Sequence, residues 1–147
     1  MRILISNDDG IYSPGITCLA EVAAEFGTVR IVAPTIQQSS MGHAITPSRP
    51  LSYSRTRMND LDAYSVDGTP ADCVALGAHQ WESVDVVLSG VNCGLNLGNG
   101  IWHSGTLAAA KQAALLGLHG IALSAPTAAE PSFLAWTGSP VPTSIAT

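Results

Sequence analysis

The first apolar segment of the chain reads Ile3-Leu4-Ile5-Ser6-Asn7-Asp8-Asp9-Gly10. A short apolar run that ends in two adjacent carboxylates and a glycine indicates a β-strand that carries paired negative charge into a loop. Adjacent carboxylates repel, so in a folded site one takes up a proton or a cation lies between them. Mg²⁺ and Mn²⁺ prefer oxygen ligands, and open α/β sheets bind ligands beyond the carboxyl ends of their strands. A surface turn is the alternative interpretation, because Asn, Asp and Gly also suit turns.

Strand-like and helix-like segments alternate along the rest of the chain. Further strands are predicted at 29–33, 51–55, 63–66, 84–88 and 121–123. Helices are predicted at 13–26, from 69 onwards and at 104–116. The first helix opens with Ser13 as its cap and Pro14 in its first turn, and Phe26 is the last residue of its apolar face before Gly27. The alternation predicts an α/β fold, a doubly wound, Rossmann-like, mostly parallel sheet with helices on both faces.

Length and composition favour one domain outside the membrane. The chain has 147 residues, of which 46% are hydrophobic and 12% charged. No apolar stretch approaches the roughly 20 residues of a membrane helix, and Met1-Arg2 leads into a strand instead of a signal peptide, so we expect a cytoplasmic location. The net charge of −5 argues against binding to a nucleic-acid backbone. Cys18, Cys73 and Cys93 lack the paired spacing of a zinc site and are predicted to be free thiols.

Glycine and asparagine alternate between Ser89 and Gly100, in the segment that follows the predicted strand 84–88. Glycine permits close approach of the backbone to a ligand, and an asparagine amide offers both a carbonyl ligand for a cation and a donor for a phosphate. A flexible loop is the alternative, since asparagine also tolerates left-handed conformations. His103-Ser104-Gly105-Thr106 follows where a helix begins, and the free amides of a helix N-terminus attract anions. Ser104 is also a suitable helix cap.

Other polar residues have simpler explanations. Thr69 and Asp72 fit a capping box, so we do not assign Asp72 a catalytic role. His43 lies in a polar loop predicted at 35–50, and His103 follows the segment between Ser89 and Gly100; either could act as a general acid, line a pocket or form a structural hydrogen bond.

Taken together, these motifs resemble the SurE family, the stationary-phase survival proteins that act as metal-dependent nucleotidases. The resemblance covers roughly residues 1–124 and rests on Ser6-Asn7-Asp8-Asp9-Gly10 with Ser13-Pro14-Gly15, Ala33-Pro34 with Gln38-Ser39, Gly68-Thr69-Pro70-Ala71-Asp72-Cys73, Ser89-Gly90-Val91-Asn92 with Gly94 and Asn96-Leu97-Gly98, and Ser104-Gly105-Thr106. The order and spacing of several motifs are far more specific than a single short motif. Thr35 departs from the family, whose members often carry aspartate after Ala-Pro.

The resemblance implies a SurE-type fold and a set of site residues. One divalent ion, Mg²⁺ or Mn²⁺, is expected to be held by Asp8, Asp9, Ser39 and Asn92. The substrate phosphate is expected to contact Asn96, Ser104, Gly105 and Thr106. Asp8 and Asp9 are the expected catalytic residues, because one of them would accept a proton from the attacking water.

The resemblance also implies an activity and a state of assembly. Family members hydrolyse nucleoside 5′- and 3′-monophosphates to nucleoside and phosphate, in some cases short polyphosphate, and form homo-oligomers. A degenerate member that binds metal or nucleotide without turnover is one alternative. A receiver-like signalling module is another alternative. Such a module would require an aspartate at the end of a later strand and a lysine after another, but here Asp85 lies early in its strand and no lysine follows Leu123.

The end of the chain departs from the resemblance. The predicted division is a SurE-like α/β nucleotidase domain at 1–124 and an irregular tail at 125–147, rich in Pro, Ala, Ser and Thr, that does not match the family. Because family members are substantially longer, the chain is expected to be truncated at its C-terminal end. A missing layer would leave an apolar sheet face or edge uncovered, so we predict self-association or poor solubility.

Overall fold

The computed structural model describes residues 1–126 of the chain. The strands are β1 (Arg2–Ser6), β2 (Thr28–Pro34), β3 (Tyr53–Met58), β4 (Leu61–Val66), β5 (Val86–Cys93) and β6 (His119–Ala125). The helices are α1 (Pro14–Ala23), α2 (Pro70–Gln80) and α3 (Gly105–Leu115), with a short 3₁₀ helix at Gly98–Trp102. In this part of the chain no helix is long and apolar enough to cross a membrane. The predicted tail lies almost wholly outside the described residues, and its boundary near residue 124 remains a prediction.

The six strands form one sheet in the order β3-β4-β2-β1-β5-β6. All neighbouring strands are parallel except β3 and β4, which form an antiparallel hairpin at one edge. The strand order reverses beside β1, from which the chain continues to β2 on one side while β5 pairs on the other. In open α/β sheets ligands bind outside the carboxyl ends of the strands at such a switch point. The predicted doubly wound, mostly parallel α/β fold is therefore confirmed.

The core lies on both faces of the sheet, which explains why β1 is apolar without interruption. Successive side chains of a strand point to opposite faces. Ile3 and Ile5 pack in a buried cluster with the apolar face of α1. Leu4 packs in a second buried cluster that includes Val74 of α2 and Ala109 of α3. These two layers hold the end of β1, and with it the acidic residues that follow, in a fixed position.

The C-terminal end of α1 differs from the prediction. The helix ends at Ala23, and the next two backbone hydrogen bonds, from Glu25 to Val22 and from Phe26 to Ala23, span three residues instead of four. This tighter turn rotates the following side chains further around the helix axis. Phe26 is consequently 64% exposed and does not belong to the buried face.

Two further elements differ from the prediction in their local detail. The strand predicted at 51–55 begins later, as β3, because a tight turn with Asn59 at φ 52° fixes its register against β4, with Met58 opposite Leu61. Asparagine tolerates this left-handed conformation better than most residues. The glycine- and asparagine-rich segment, expected to be a loop after a strand at 84–88, begins within β5, which continues to Cys93, and it contains the 3₁₀ helix at Gly98–Trp102.

One edge of the sheet is formed by β6, whose first half is exposed. Residues 119–122 are exposed to solvent, and the side chain of Ile121 is among the exposed large apolar groups. An exposed edge strand presents unpaired backbone groups to other chains. The prediction of self-association thus has a structural counterpart at β6, although the state of assembly itself stays a prediction.

Candidate active site at the carboxyl ends of β1 and β5

Asn7 shapes the loop between β1 and α1. Its side chain is fully buried, its Oδ1 accepts from the amide of Gly10 at 3.2 Å, and its Nδ2 donates to the carbonyl of Gly10 at 3.1 Å. The same Nδ2 donates to the Ser13 hydroxyl at 2.7 Å. Ser13 therefore stands at the start of α1 without capping it through its side chain, contrary to the prediction. Asn7 thereby folds the backbone tightly around Asp8 and Asp9, the two residues that lie between it and Gly10.

Asp8 is the buried member of this acidic pair, which we define as Asp8 and Asp9. Its side chain is only 5% exposed, and the Thr106 hydroxyl donates to its Oδ1 at 2.6 Å. Its backbone carbonyl accepts from the amide of Gln38 at 2.7 Å. Burial raises the pKa of Asp8, and the hydrogen bond from Thr106 opposes that rise. Charge on Asp8 is thus costly in this position and is only partly compensated by the protein.

Gly105 allows α3 to approach the acidic pair. A Cβ atom at this position would lie 2.6 Å from the Cβ of Asp8, a separation that real side chains do not adopt. The first turn of α3 therefore contacts Asp8 directly. Glycine is required here because of close packing, since its φ is not in the left-handed region.

Asp9 is the more accessible member of the acidic pair. Burial, followed by the neighbouring charge of Asp8, raises the pKa of Asp9, whereas the backbone amide of Cys93 and the side chain of Gln37 lower it. Gln37 Nε2 lies 3.5 Å from Asp9 Oδ1 and donates to the Ser39 hydroxyl at 2.9 Å. Gln37 therefore brings Ser39, a predicted metal ligand, close to Asp9.

The end of β5 contributes Asn92 next to Cys93. The Nδ2 of Asn92 donates to the carbonyl of Gly94 at 2.7 Å, so its Oδ1 is the atom able to bind a cation. Asn96, a predicted phosphate ligand, instead donates to the Ser124 hydroxyl of β6 at 2.8 Å. Asn92 thus lies at the same end of the sheet as the acidic pair, while the amide of Asn96 is engaged with the edge strand.

The N-terminus of α3 combines a cap with free donors. The Ser104 hydroxyl accepts from the amide of Leu107 at 3.2 Å, as predicted for a cap. Its own O–H proton remains able to donate to a ligand. The amides of Gly105 and Thr106 have no intrahelical partner by their position, and the helix dipole adds partial positive charge there. All three residues are buried.

Asp72 confirms its predicted capping role and has a second one. It closes a capping box with Thr69, and its two carboxylate oxygens also accept from Thr46, from the amide at 3.0 Å and from the hydroxyl at 2.7 Å. The Thr69 hydroxyl donates to the carbonyl of Ala44 at 2.7 Å. The segment 35–50, which delivers Ser39 to the site, is thereby attached to the start of α2.

The two histidines beside the polar loops occupy different positions. The imidazole Nε2 of His43 lies 2.8 Å from Gln112 Oε1 on α3, which corresponds to the structural hydrogen bond among the predicted alternatives. His103 is exposed, and its backbone carbonyl accepts from the amide of Gly42 at 3.0 Å. These contacts fix the segment 35–50 against His103, just before α3, and against Gln112 in the second half of α3.

The predicted metal ligands suit a hard divalent cation. Asp8, Asp9, Ser39 and Asn92 offer carboxylate, hydroxyl and amide oxygens, the donors that Mg²⁺ and Mn²⁺ favour. Within residues 1–126 no three His, Cys, Asp or Glu side chains are grouped to hold a metal ion, so the predicted set depends on the Ser39 and Asn92 oxygens besides the two carboxylates. Burial raises the pKa of both aspartates, so their charged forms are disfavoured in the metal-free site, and a bound cation would stabilise them. The residues present therefore fit such an ion.

Two contributors to the site were not predicted from the sequence. Asn7 had a local signal, because asparagine ahead of a glycine turn often bonds to the backbone nearby. The role of Gln37 had no such signal, since it depends on where the segment after β2 is held. All three cysteines are free, as predicted.

The fold and the site define a class of α/β proteins that place an acidic, oxygen-lined site at the switch point of a mostly parallel sheet. The family model described as "Survival protein SurE" matches residues 3–141. The chain therefore belongs to the SurE family.

Individual relatives show the same similarity. The chain is 51% identical over 133 residues to 5′-nucleotidase SurE 1 of Thermus thermophilus, a match that covers 88% of this chain and 53% of the relative. It is 50% identical over 126 residues to 5′-nucleotidase SurE of Deinococcus radiodurans, covering 84% of this chain and 47% of the relative. The crystal structure of the SurE protein from Aquifex aeolicus superimposes with a TM-score of 0.79 at 41% identity, covering 90% of this chain and 54% of that structure. The chain spans about half the length of these relatives.

Proposed function

We propose that this chain is a metal-dependent phosphomonoesterase that hydrolyses nucleoside 5′-monophosphates, and also 3′-monophosphates, to nucleoside and phosphate. The observation that supports it best is the contact between Asp8 and the first turn of α3. This contact places the acidic pair beside the free amides of a helix N-terminus, where a phosphate group binds favourably. Curated relatives that match most of this chain are named 5′-nucleotidases.

Asp8, Asp9, Ser39 and Asn92 would hold one Mg²⁺ or Mn²⁺ ion. When bound, such an ion supplies Lewis-acid polarisation of a phosphoryl oxygen. The amides of Gly105 and Thr106 and the free O–H of Ser104 would stabilise the negative charge that develops on the phosphoryl group. The Thr106 hydroxyl donates to Asp8, so its own part in phosphate binding would be through the backbone. Asn96 Nδ2 donates one hydrogen to Ser124, so its second N–H would be the donor to the phosphate.

Asp9 is the better placed of the two aspartates to accept the proton of the attacking water. It is more exposed than Asp8 and lines an open pocket, whereas Asp8 Oδ1 is occupied by Thr106. In this mechanism Asp8 fixes the geometry of the site through its bond with Thr106, and Asp9 accepts the proton of the attacking water.

The test is phosphate release from 5′-AMP and 3′-AMP by the purified 147-residue chain with Mn²⁺ or Mg²⁺, with and without a chelator. We expect chelator-sensitive release that is lost in Asp9→Asn, by about 10³-fold or more if the carboxylate both binds the ion and accepts the proton. Asp67→Asn, a change at an exposed carboxylate that bonds Arg49, is the matched control and should retain activity.

A folded chain that binds Mn²⁺ but releases no phosphate would instead favour a degenerate member that binds metal or nucleotide without turnover. Full activity in Asp9→Asn would contradict the assignment of the site.

The remaining parts of the proposal concern the setting of the activity. We place the chain in the cytoplasm as a homo-oligomer. We expect it to act on small nucleotides and not on nucleic-acid polymers, because a net charge of −5 disfavours binding to a phosphate backbone. Light scattering at increasing protein concentration tests the assembly, and a concentration-independent monomer would contradict it.

A further inference from the structure

The two edge strands of the described sheet differ in charge. At one edge, β6 carries no Lys, Arg, Asp or Glu, whereas β3 at the other edge carries Arg55 and Arg57. Both arginines are exposed, and together with Arg30 on β2 they are three of the six Lys and Arg residues in a chain whose net charge is −5. Positive charge is therefore concentrated near the hairpin of β3 and β4 in an otherwise acidic protein.

The exposed backbone of β3 belongs to the same two arginines. In an antiparallel pair, residues that bond to the neighbouring strand alternate with residues that do not. The amide of Asp67 donates to the carbonyl of Ser52, so every second residue from Ser52 to Met58 bonds to the β4 side of the hairpin. The tight turn after Met58 agrees, since residues on either side of such a turn commonly bond to each other. The N–H and C=O groups of Arg55 and Arg57 consequently point outwards, away from β4.

The side chains of these arginines share one face of the sheet, because they are two residues apart on a strand. A pocket of about 480 Å³ opens beside them and is also lined by Asp60 and Asp62. Asp62 is already engaged, since Arg30 Nε donates to its Oδ2 at 2.9 Å and Arg55 lies 3.5 Å from its Oδ1. Within residues 1–126, Arg57 forms no ion pair. Positive charge thus remains available at this edge.

The charge of β3 selects the kind of strand that can pair with it. Antiparallel pairing with a second copy of β3 would place arginines opposite each other, which is destabilising. An acidic strand would bond to the outward backbone groups and present carboxylates to the two guanidinium groups. Because alternate residues share a face, the matching pattern is two acidic residues separated by one other residue. This spacing occurs once in the sequence, at Asp60 and Asp62 of the hairpin itself, so the partner is expected outside this sequence.

We propose that β3 is a docking edge for an extended acidic peptide of a partner protein, which adds a strand to the sheet with carboxylates opposite Arg55 and Arg57. The inference is independent of the proposed function, because the described lining of the hairpin pocket shares no residue with the pocket beside Asp9. Charge on an edge strand can also serve only to discourage pairing. That purely protective role predicts that no strand binds.

The probe is a fluorescent seven-residue peptide with glutamate at positions 3 and 5 and threonine or valine elsewhere. Matched peptides carry glutamine at both positions, or glutamate at positions 3 and 4, which face opposite sides of a strand. Fluorescence anisotropy at low salt measures the binding of each peptide to the wild-type chain. Two opposite-charge cross-strand pairs contribute about 2- to 30-fold to affinity, so both matched peptides should bind more weakly, the glutamine peptide by about that factor.

Variants of the chain locate the binding site. The double variant Arg55→Gln/Arg57→Gln should lose about the same factor in affinity for the glutamate peptide. Arg55→Lys/Arg57→Lys, which keeps the charge, should retain most of the affinity. Lys111→Gln removes a positive charge on α3 and should bind as the wild type does. Circular dichroism confirms that each variant is folded.

Amide hydrogen exchange followed by NMR tests the strand addition itself. In the free chain the amides of Arg55 and Arg57 should exchange faster than those of Ser54 and Thr56, and saturating peptide should slow the arginine amides selectively. Binding without this protection, equal affinity for the glutamate and glutamine peptides, or a wild-type Kd weaker than about 1 mM would overturn the proposal. None of these measurements uses turnover, so a failure of the proposed hydrolysis would leave the docking edge standing.

Discussion

The two sides of the acidic pair are built differently. On the α3 side, Asp8 is almost completely buried, Thr106 donates to it at 2.6 Å, and Gly105 leaves no space for a side chain. On the other side, Asp9 faces an open pocket, and its contact with Gln37 is long, at 3.5 Å. Close packing fixes position, whereas open space admits groups of variable shape. The difference teaches that the position of the acidic pair is fixed by packing against α3, whereas room is left on the side of Asp9.

The largest effect should come from filling the contact on the packed side. Gly105→Ala places a Cβ 2.6 Å from the Cβ of Asp8, so α3 or the acidic pair must shift. We expect a loss of about 1–3 kcal/mol in the free energy of unfolding. We also expect activity to fall by about 10²-fold, because misplacement of catalytic groups by about 1 Å has effects of that size. Gly100→Ala is the control, since nothing lies within 4 Å of its added Cβ. Wild-type turnover in Gly105→Ala would show that the contact does not set the geometry.

A smaller effect is expected when the contact keeps its volume but loses its hydrogen bond. Thr106→Val removes the hydroxyl that donates to Asp8 while filling nearly the same space. Since hydrogen bonds to charged groups contribute about 1.5–3 kcal/mol, we expect activity to fall by about 10- to 100-fold. The hydrogen bond lowers the pKa of Asp8, so the acid limb of the pH–rate profile should move to higher pH in the variant. An unchanged limb would indicate that Asp8 does not titrate in that range.

The pH dependence of stability tests whether the buried charge on the packed side is costly. The folded pKa of Asp8 is raised above its unfolded value, so its favourable contribution is present below the unfolded pKa and is lost as pH rises through the folded pKa. The metal-free wild type should therefore lose stability relative to Asp8→Asn as pH rises from about 4, where an unperturbed aspartate ionises, through the raised folded pKa of Asp8. If Mn²⁺ binds the folded site as proposed, it should restore wild-type stability at neutral pH, because a ligand of the folded state stabilises that state.

Thermal unfolding of both proteins in chelator checks this expectation. The lowered pKa of Asp67 makes the stability of both proteins rise with pH, opposite to the effect of Asp8. This contribution is the same in both proteins, so the difference between their stabilities is the informative quantity. Parallel curves for wild type and Asp8→Asn would show that charging Asp8 carries no penalty.

The smallest effect is expected on the open side. Gln37→Ala removes the side chain that contacts Asp9 and Ser39. The loss of binding free energy should be small, because both contacts are exposed to solvent and the one to Asp9 is long. We expect the affinity for Mn²⁺ to fall by about two- to tenfold, measured directly or as a rise in KM for Mn²⁺, because typical hydrogen bonds contribute about 0.5–1.5 kcal/mol. The fold should be unaffected. A loss as large as that of Gly105→Ala would remove the contrast between the two sides.

Local patterns were enough to predict the elements of the fold and the acidic pair. The apolar run before Asp8, the capping box at Thr69 and the cap at Ser104 each carry their signal within a few residues. The bond from Thr106 to Asp8 joins residues 98 positions apart, and only the family resemblance, not local sequence, suggested that they share a site. Phe26 was misplaced because the last turn of α1 tightens, which a uniform helical period does not anticipate.

The residues that hold other residues in place were the hardest to predict. Gln37 and Thr46 lie in a polar segment without regular periodicity, so their roles depend on contacts with distant elements. Asp72 was correctly predicted as a cap, but its bonds to Thr46 follow from tertiary structure alone. Polar residues in loops gain such roles from the scaffold around them.

The double role of Asp72 has a consequence for how the site opens. One carboxylate both anchors the segment 35–50 through Thr46 and closes the first turn of α2 through the amide of Thr69, so we expect the segment and the helix start to open as one cooperative unit. Amide hydrogen exchange should then show Thr46 and Thr69 exchanging at matched rates. Ser39, carried by that segment, would leave the acidic pair on the timescale of a fraying helix end and not on that of a free surface loop.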